Sequence, residues 1–344
     1  MKKLSFGLMT FLETGLSSEG FMIDHETRIN QALEEVKLAD QIGLDYYGIG
    51  EHHRSDYAAT SPEIILAAAA SITKQIHLGS AVTVLSSDDP VRVYEAFATL
   101  DLISNGRAEI IAGRGSFTES FELFGYDLRN YDQLYSEKLD LLLKIRDNEN
   151  ISWNGKLRAP LKNKTIYPRA KSSLKISIAV GGSYESVLRA ANLGLPIVFA
   201  IIGGNPLNFK PLVDLYKKTY LEKGFKEDDM EIGVAVHGLI SSDPDILEKY
   251  YPSHHAQFSK IASERGWPNY SKESYMANMR RGPFYVGNKE EVTKRLLSLI
   301  QGLGINRLLF HTPGSYMPHE MTIQSIRAYG QEAVPKLKKA LENN

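Results

Sequence analysis

The chain contains no cysteine, which excludes disulfides, thiolate metal sites and cysteine nucleophiles and leaves its compartment undetermined by redox arguments. It also has no excess of positive charge: 40 lysines and arginines stand against 41 acids, a formal net charge of −1. That balance offers no attraction for nucleic acid or an anionic membrane, so a small-molecule partner is expected. No stretch approaches the roughly 18 apolar residues of a membrane span. The opening Met1-Lys2-Lys3 runs into a strand-like segment, Leu4 to Phe11, that soon reaches Glu13 and lacks the small-residue exit of a cleavable leader. A cytoplasmic protein is the expectation. What is present is ordinary: 344 residues, 43% hydrophobic and 24% charged, enough to bury a large core.

Strand and helix patterns alternate along the length. His25 to Gly43 carries Ile29, Ala32, Leu33, Val36 and Ala39 at helical spacing, with glycine at the stop. Tyr46 to Gly50 reads as a buried strand, followed by the polar Glu51-His52-His53 and a helix opened by Pro62. Strand His77–Val84, a helix from Val91 to Ser104, and strand Ala108–Ala112 ending in Gly113-Arg114-Gly115 continue the series. Further strands are expected over Leu174–Val180, Pro196–Ile202, Glu231–Ser241 and Asn306–Phe310, the last preceded by a helix that Asn288 and Glu291 open in capping-box fashion. Eight strands with intervening helices predict a closed parallel (β/α)8 TIM barrel, forming a single domain over residues 1–344. Two stretches exceed ordinary loop length. Residues 147–173, with Trp153-Asn154-Gly155 as a hairpin turn, are expected as an insertion, and residues 242–287 as a lid or extra helices.

In such a barrel the chemistry collects at the C-terminal ends of the strands. Glu51-His52-His53 sits there, where an imidazole could transfer protons or bind metal. Consecutive side chains on an extended segment point to opposite faces, so the adjacent histidines chelate poorly and no metal is expected. His52 is the stronger functional candidate; His53 serves equally well as a loop contact. Gly181-Gly182-Ser183-Tyr184-Glu185-Ser186 follows a strand and opens a helix. Its free N–H groups could hold an anion, or Ser183 could simply cap the helix. Gly113-Arg114-Gly115-Ser116 supplies a guanidinium at a neighbouring strand end, suited to bidentate phosphate contact. Asp88-Asp89-Pro90 reads as the start of a helix, His254-His255 as a solvated or lid pair, and Arg280-Arg281 as a weaker candidate to reach the site from a lid. His237 and His311 could contribute to an isomerase or metal-hydrolase site of a different class.

The segments Gly50-Glu51-His52-His53, Leu78 to Leu85, Pro90-Val91-Arg92, Leu100 to Arg107, Gly113-Arg114-Gly115, Gly194-Leu195-Pro196 and Val286 to Val292 together resemble the bacterial-luciferase-like flavin monooxygenases. The resemblance implies FMN bound at the strand ends. Arg114, Ser183 and Ser186 would contact its phosphate, with Gly182 allowing close backbone approach. His52 would lie near the reacting flavin, and a non-proline cis peptide would fall at Ala81–Val82, against the ring. It also implies reduced FMN delivered by a separate flavin reductase, molecular oxygen and a small organic substrate as co-reactants, and a homodimer joined through the second and third helices. Relatives on this fold use a deazaflavin for hydride transfer, and others serve as non-catalytic flavin-binding subunits; both stand as alternatives. Gly182 occupies a position where the family sometimes has an acid, and no cysteine lies near Arg114, so the resemblance does not extend to long-chain aldehyde oxidation with light emission.

Overall fold

The computed structural model describes residues 3–15, 23–115, 117–171, 173–266, 271–312 and 317–342. Its strands, in chain order, are β1 (Ser5–Thr10), β2 (Tyr46–Ile49), β3 (His77–Ser80), β4 (Thr83–Val84), β5 (Ala108–Gly113), β6 (Asn150–Trp153), β7 (Leu161–Thr165), β8 (Lys175–Val180), β9 (Ile197–Ala200), β10 (Ile232–Ile240), β11 (Phe284–Gly287) and β12 (Arg307–His311). Strands covered on both faces read as continuous apolar runs, and β5 is buried at every position. The parallel pairings run β1-β2-β3-β5-β8-β9-β10-β12 and return to β1, which closes the barrel that the sequence predicts. Helices from each crossover pack outside it, and their apolar faces join the strands in one core.

The lower end of the barrel interior is filled by charge. Arg307, the first residue of β12, reaches Glu109 of β5 at 2.8 Å and Glu231 at 2.9 Å. Lys175 joins the same carboxylates at 3.4 and 2.7 Å, and the guanidinium stacks on Tyr46. With that end plugged, open space is left at the opposite, C-terminal end.

Three details differ from the pattern read in the sequence. The strand expected over His77–Val84 is broken into β3 and β4, with the cis Ala81–Val82 peptide between them. Residues 147–173 do hold an antiparallel hairpin, β6 with β7, but its connection is longer than the Trp153-Asn154-Gly155 turn. Residues 242–287 form two helices, Ile246–Arg265 and Lys272–Arg281, and then β11, which the sequence reading missed. β10 outruns β9, and β11 pairs with the surplus length from His237 to Ile240. No helix among the described residues is long and apolar enough to cross a membrane.

Candidate functional site

At the C-terminal ends of the strands lies a cavity of about 370 Å³, walled by Met9, Phe11, Ile111, Val198 and Leu309 and rimmed by loops. The loops after β1 and β2 are tied together. Leu12 takes a left-handed φ of 53°, and its amide donates to Thr10 Oγ1 at 3.1 Å. That turn brings Glu13 into a bridge with Tyr57, while the Thr14 amide donates to the Asp56 carbonyl at 3.0 Å.

Glu51 secures the interrupted third strand. Its amide donates to the Val82 carbonyl at 3.0 Å, and its carboxylate accepts from the Val84 amide at 2.8 Å, a group the break would otherwise leave unpaired. The other carboxylate oxygen lies 2.7 Å from His53 Nε2. Val82 faces the cavity, and a Cβ on Gly113 of the neighbouring strand would come within 2.6 Å of Val82 Cγ2. Glycine at position 113 therefore lets the two backbones approach.

The adjacent histidines diverge. His53 joins a groove on the outer surface, whereas His52 lines the cavity. The His52 ring is enclosed by Phe11, Tyr57 and Phe117, with centroids 4.7, 4.5 and 4.9 Å away. Burial pushes its pKa down to about 3, against a smaller opposing pull from Glu13, so the ring is neutral at physiological pH. Its Nε2 is buried with no hydrogen-bond partner among the described residues. An orphaned nitrogen in an apolar wall is costly unless a ligand meets it.

Two strands further round, β5 and β8 are neighbours, which puts the Arg114 and Ser183 loops side by side on the rim. Arg114 lines the cavity; it pairs with the exposed Asp132 at 2.5 Å and lies over the Tyr131 ring. Gly182 adopts φ 122°, a conformation that favours glycine. Ser183 caps helix Tyr184–Asn192, accepting from the Ser186 amide and donating to Ser186 Oγ at 2.8 Å. Gly181 reaches the cavity lining, whereas Gly182, Ser183 and Ser186 are not part of it. Ser116 lies outside the described residues.

The remaining wall was hardly visible in the sequence. His237 of β10 faces the cavity, and its Nδ1 lies 2.7 Å from Nδ1 of His311 at the end of β12. His311 Nε2 is in turn 3.0 Å from the buried Glu13 carboxylate. His254, expected as a solvated or lid residue, lies on helix Ile246–Arg265, is buried on its inner side at the cavity and contacts Tyr275. That helix roofs the cavity with Gln257, Phe258 and Ile261. Arg280 and Arg281 are exposed and take no part. Asp89 caps helix Pro90–Ser104, as an ordinary helix start requires. Among the described residues no group of three or more histidines and acids is arranged to hold a metal ion.

A parallel (β/α)8 barrel with a small apolar cavity at its C-terminal mouth, neutral histidines lining it and an arginine on its rim is the framework of a small-molecule enzyme. The chain belongs to the luciferase-like monooxygenase family, whose profile matches residues 6–307. It is 25% identical over 351 residues to the alkanal monooxygenase alpha chain of the Kryptophanaron alfredi symbiont, covering 92% of this chain and 95% of that protein. Two solved structures share the fold. One is the oxygenating constituent of 3,6-diketocamphane monooxygenase from the CAM plasmid of Pseudomonas putida, in complex with FMN, with TM-score 0.77, 19% identity, and 97% and 98% coverage of the two chains. The other is an F420-dependent secondary alcohol dehydrogenase, with TM-score 0.74, 15% identity, and 95% and 99% coverage.

Proposed function

We propose that this protein is a cytoplasmic, homodimeric FMN-dependent monooxygenase that uses reduced FMN from a separate reductase, together with oxygen, on a small organic substrate. The observation that carries the reading is the cavity itself. A buried, unpartnered His52 Nε2 and the cis Ala81–Val82 segment line its apolar interior, and adjacent loops bearing Arg114 and Ser183 form its rim.

The residues fit the group. Arg114 gives up only an exposed ion pair to take a phosphate, a modest loss, and the N-terminus of helix Tyr184–Asn192 adds N–H donors and a favourable dipole. Val82 and Ala81 offer a flat backbone surface to an aromatic ring. When bound, FMN supplies the activation of oxygen, and the protein's work is to position and shelter. His52 presents a neutral ring whose Nε2 can hold a hydrogen bond or a single proton, and helix Ile246–Arg265 shuts water out from above. The groove between helices Pro62–Ile72 and Pro90–Ser104, with the exposed Ile64, Leu123 and Phe124 on its walls, is the face a second copy would cover.

The test separates phosphate from ring. Arg114→Ala is expected to weaken FMN binding roughly ten- to a hundredfold, the worth of a charge-assisted hydrogen bond (about 1.5–3 kcal/mol), while riboflavin affinity changes little. Equal losses for both ligands would remove Arg114 from the phosphate site. Oxygen uptake with reduced FMN, compared with turnover of a reduced deazaflavin without oxygen, decides between oxygenation and hydride transfer. His52→Ala should abolish turnover and still bind FMN.

A further inference from the structure

Beside His52, on the other side of the Phe11 ring, the wall carries a second, unassigned arrangement. Glu13, His311 and His237 form a line from a buried carboxylate to the cavity: Glu13 Oε1 to His311 Nε2 at 3.0 Å, then His311 Nδ1 to His237 Nδ1 at 2.7 Å. Glu13 comes from the loop after β1, His311 from β12 and His237 from β10, so three separate segments are held in register by the barrel. His311 is buried behind the wall, while His237 faces the cavity and spends its Nδ1 on His311, leaving Nε2 as its second ring nitrogen.

Proton counting limits this line to two states. Burial would raise the Glu13 pKa, but the charge and hydrogen bond of His311, helped by Arg28, hold it below the usual carboxylate value. Glu13 is therefore an anion near neutral pH, and it favours a proton on His311 Nε2, which lies 3.0 Å away and has no other hydrogen-bond partner among the described residues. The two Nδ1 atoms at 2.7 Å share one further proton. If that proton sits on His237, both rings are neutral and His237 Nε2 is a bare acceptor toward the cavity. If it sits on His311, that ring is an imidazolium against the Glu13 carboxylate, and His237 Nε2 carries a proton. His237 itself resists charge: burial first, then His311 and His254, push its pKa well down. The relay lets it accept a proton without holding the charge.

We propose that Glu13, His311 and His237 form a proton relay that deprotonates a weakly acidic, phenol- or enol-type hydroxyl of the substrate. The substrate O–H proton passes to His237 Nε2 as the Nδ1 proton of His237 passes to His311. The products are a substrate oxyanion and an imidazolium beside the Glu13 carboxylate, with no change in oxidation state. His237 is the catalytic residue; His311 and Glu13 are positioning residues acting through it. An alkanol is far too weak an acid for an imidazole base, whereas a phenol lies within reach. The apolar wall of Phe11, Phe284 and Leu309 suits an aromatic or enolic substrate. The assignment rests on the oxygenase reading only in taking the cavity as a substrate site.

The test uses the flavin-free protein, so it can fail independently of FMN binding. 4-Nitrophenol is added at a pH where the free probe is mostly neutral, and its phenolate absorption is followed. The wild-type chain is expected to bind it as the yellow phenolate. Glu13→Gln should lower the bound phenolate fraction about tenfold or more, the effect of removing one paired charge, and His237→Phe should abolish it. Histidine ring ¹⁵N resonances of the unaltered chain supply a readout that needs no variant: one Nδ1 protonated and one bare between His237 and His311. No binding of the probe, binding as the neutral phenol, or two bare or two protonated Nδ1 atoms in the probe-free protein would overturn the relay.

Discussion

Asp56 ties the roof of the cavity to the loop that carries His52, and replacing it by asparagine should loosen that roof selectively. Its buried carboxylate accepts from Arg54 Nε at 3.0 Å, from Lys260 Nζ at 3.0 Å and from Gln257 Nε2 at 3.3 Å, and the last two belong to helix Ile246–Arg265. Arg54 adds a pair with Glu264 of the same helix at 2.8 Å. Burial would raise the Asp56 pKa, but Arg54 and Lys260 outweigh it and hold the group at about 2, against an ordinary 3.8. That difference corresponds to about 2.5 kcal/mol. Lys260 is half exposed, so screening reduces the share acting on the roof to about 1.5 kcal/mol. Asp56→Asn should therefore speed amide exchange across helix Ile246–Arg265 roughly tenfold, with the barrel strands unchanged. Since the folded pKa is depressed, the tie is fully present above the unfolded value near 4 and is lost as pH falls toward 2. Mass-resolved hydrogen exchange on both proteins measures it, at low and high salt. Unchanged exchange in the helix, or equal acceleration in every element, would refute the tie.

Arg307→Met should cost about 3–5 kcal/mol, because Glu109 and Glu231 stay buried with only Lys175 and His77 for company. The pH slope should invert. Both carboxyls are depressed in the wild type, chiefly by Arg307 against burial, so its stability rises with pH through the carboxyl range, whereas the variant loses stability there; thermal melts across pH 3 to 7 check this. Ile64→Glu, on the exposed groove beside helix Pro90–Ser104, should yield monomers by sedimentation if a second copy covers that face. An unchanged dimer places the interface elsewhere.

The barrel was legible because its strands are buried on both faces and their sequences show it: Ala108 to Gly113 leaves no polar side for solvent except Glu109, which the Arg307 plug consumes. His52 was legible by its place after a strand. Glu13 occupies the equivalent place after β1 but looks like a loop acid, and only the turn at Leu12 and the bridge to Tyr57 fold it inward. His254 was read as a solvated or lid residue because it lies in a long insertion, away from any strand end. The stripe Ile246, Tyr250, His254, Phe258, four residues apart, is the feature that could have placed it inside. β11 was hidden by its shortness and because it pairs with the overhang of β10, a partner that exists only in the folded barrel.

The distribution of charge also says how a ligand must lie. Burial keeps His52 and His254 near pKa 3 and holds His237 low as well, so these three imidazoles are neutral. The carboxylates of Glu13 and Glu51 border the same cavity. The interior thus offers an anion no lysine or arginine, and a phosphate pushed into it would lose its water for no ionic partner. The rim is different, because Arg114 holds only a solvent-screened contact with Asp132, which an anion of higher charge can replace at little cost. A ligand with a flat neutral body and one doubly charged end has a single favourable orientation here, body inward and anion at the β5 and β8 loops. A ligand lacking the anion keeps the first contact and loses the second, which is why riboflavin and FMN should respond so differently to the loss of Arg114.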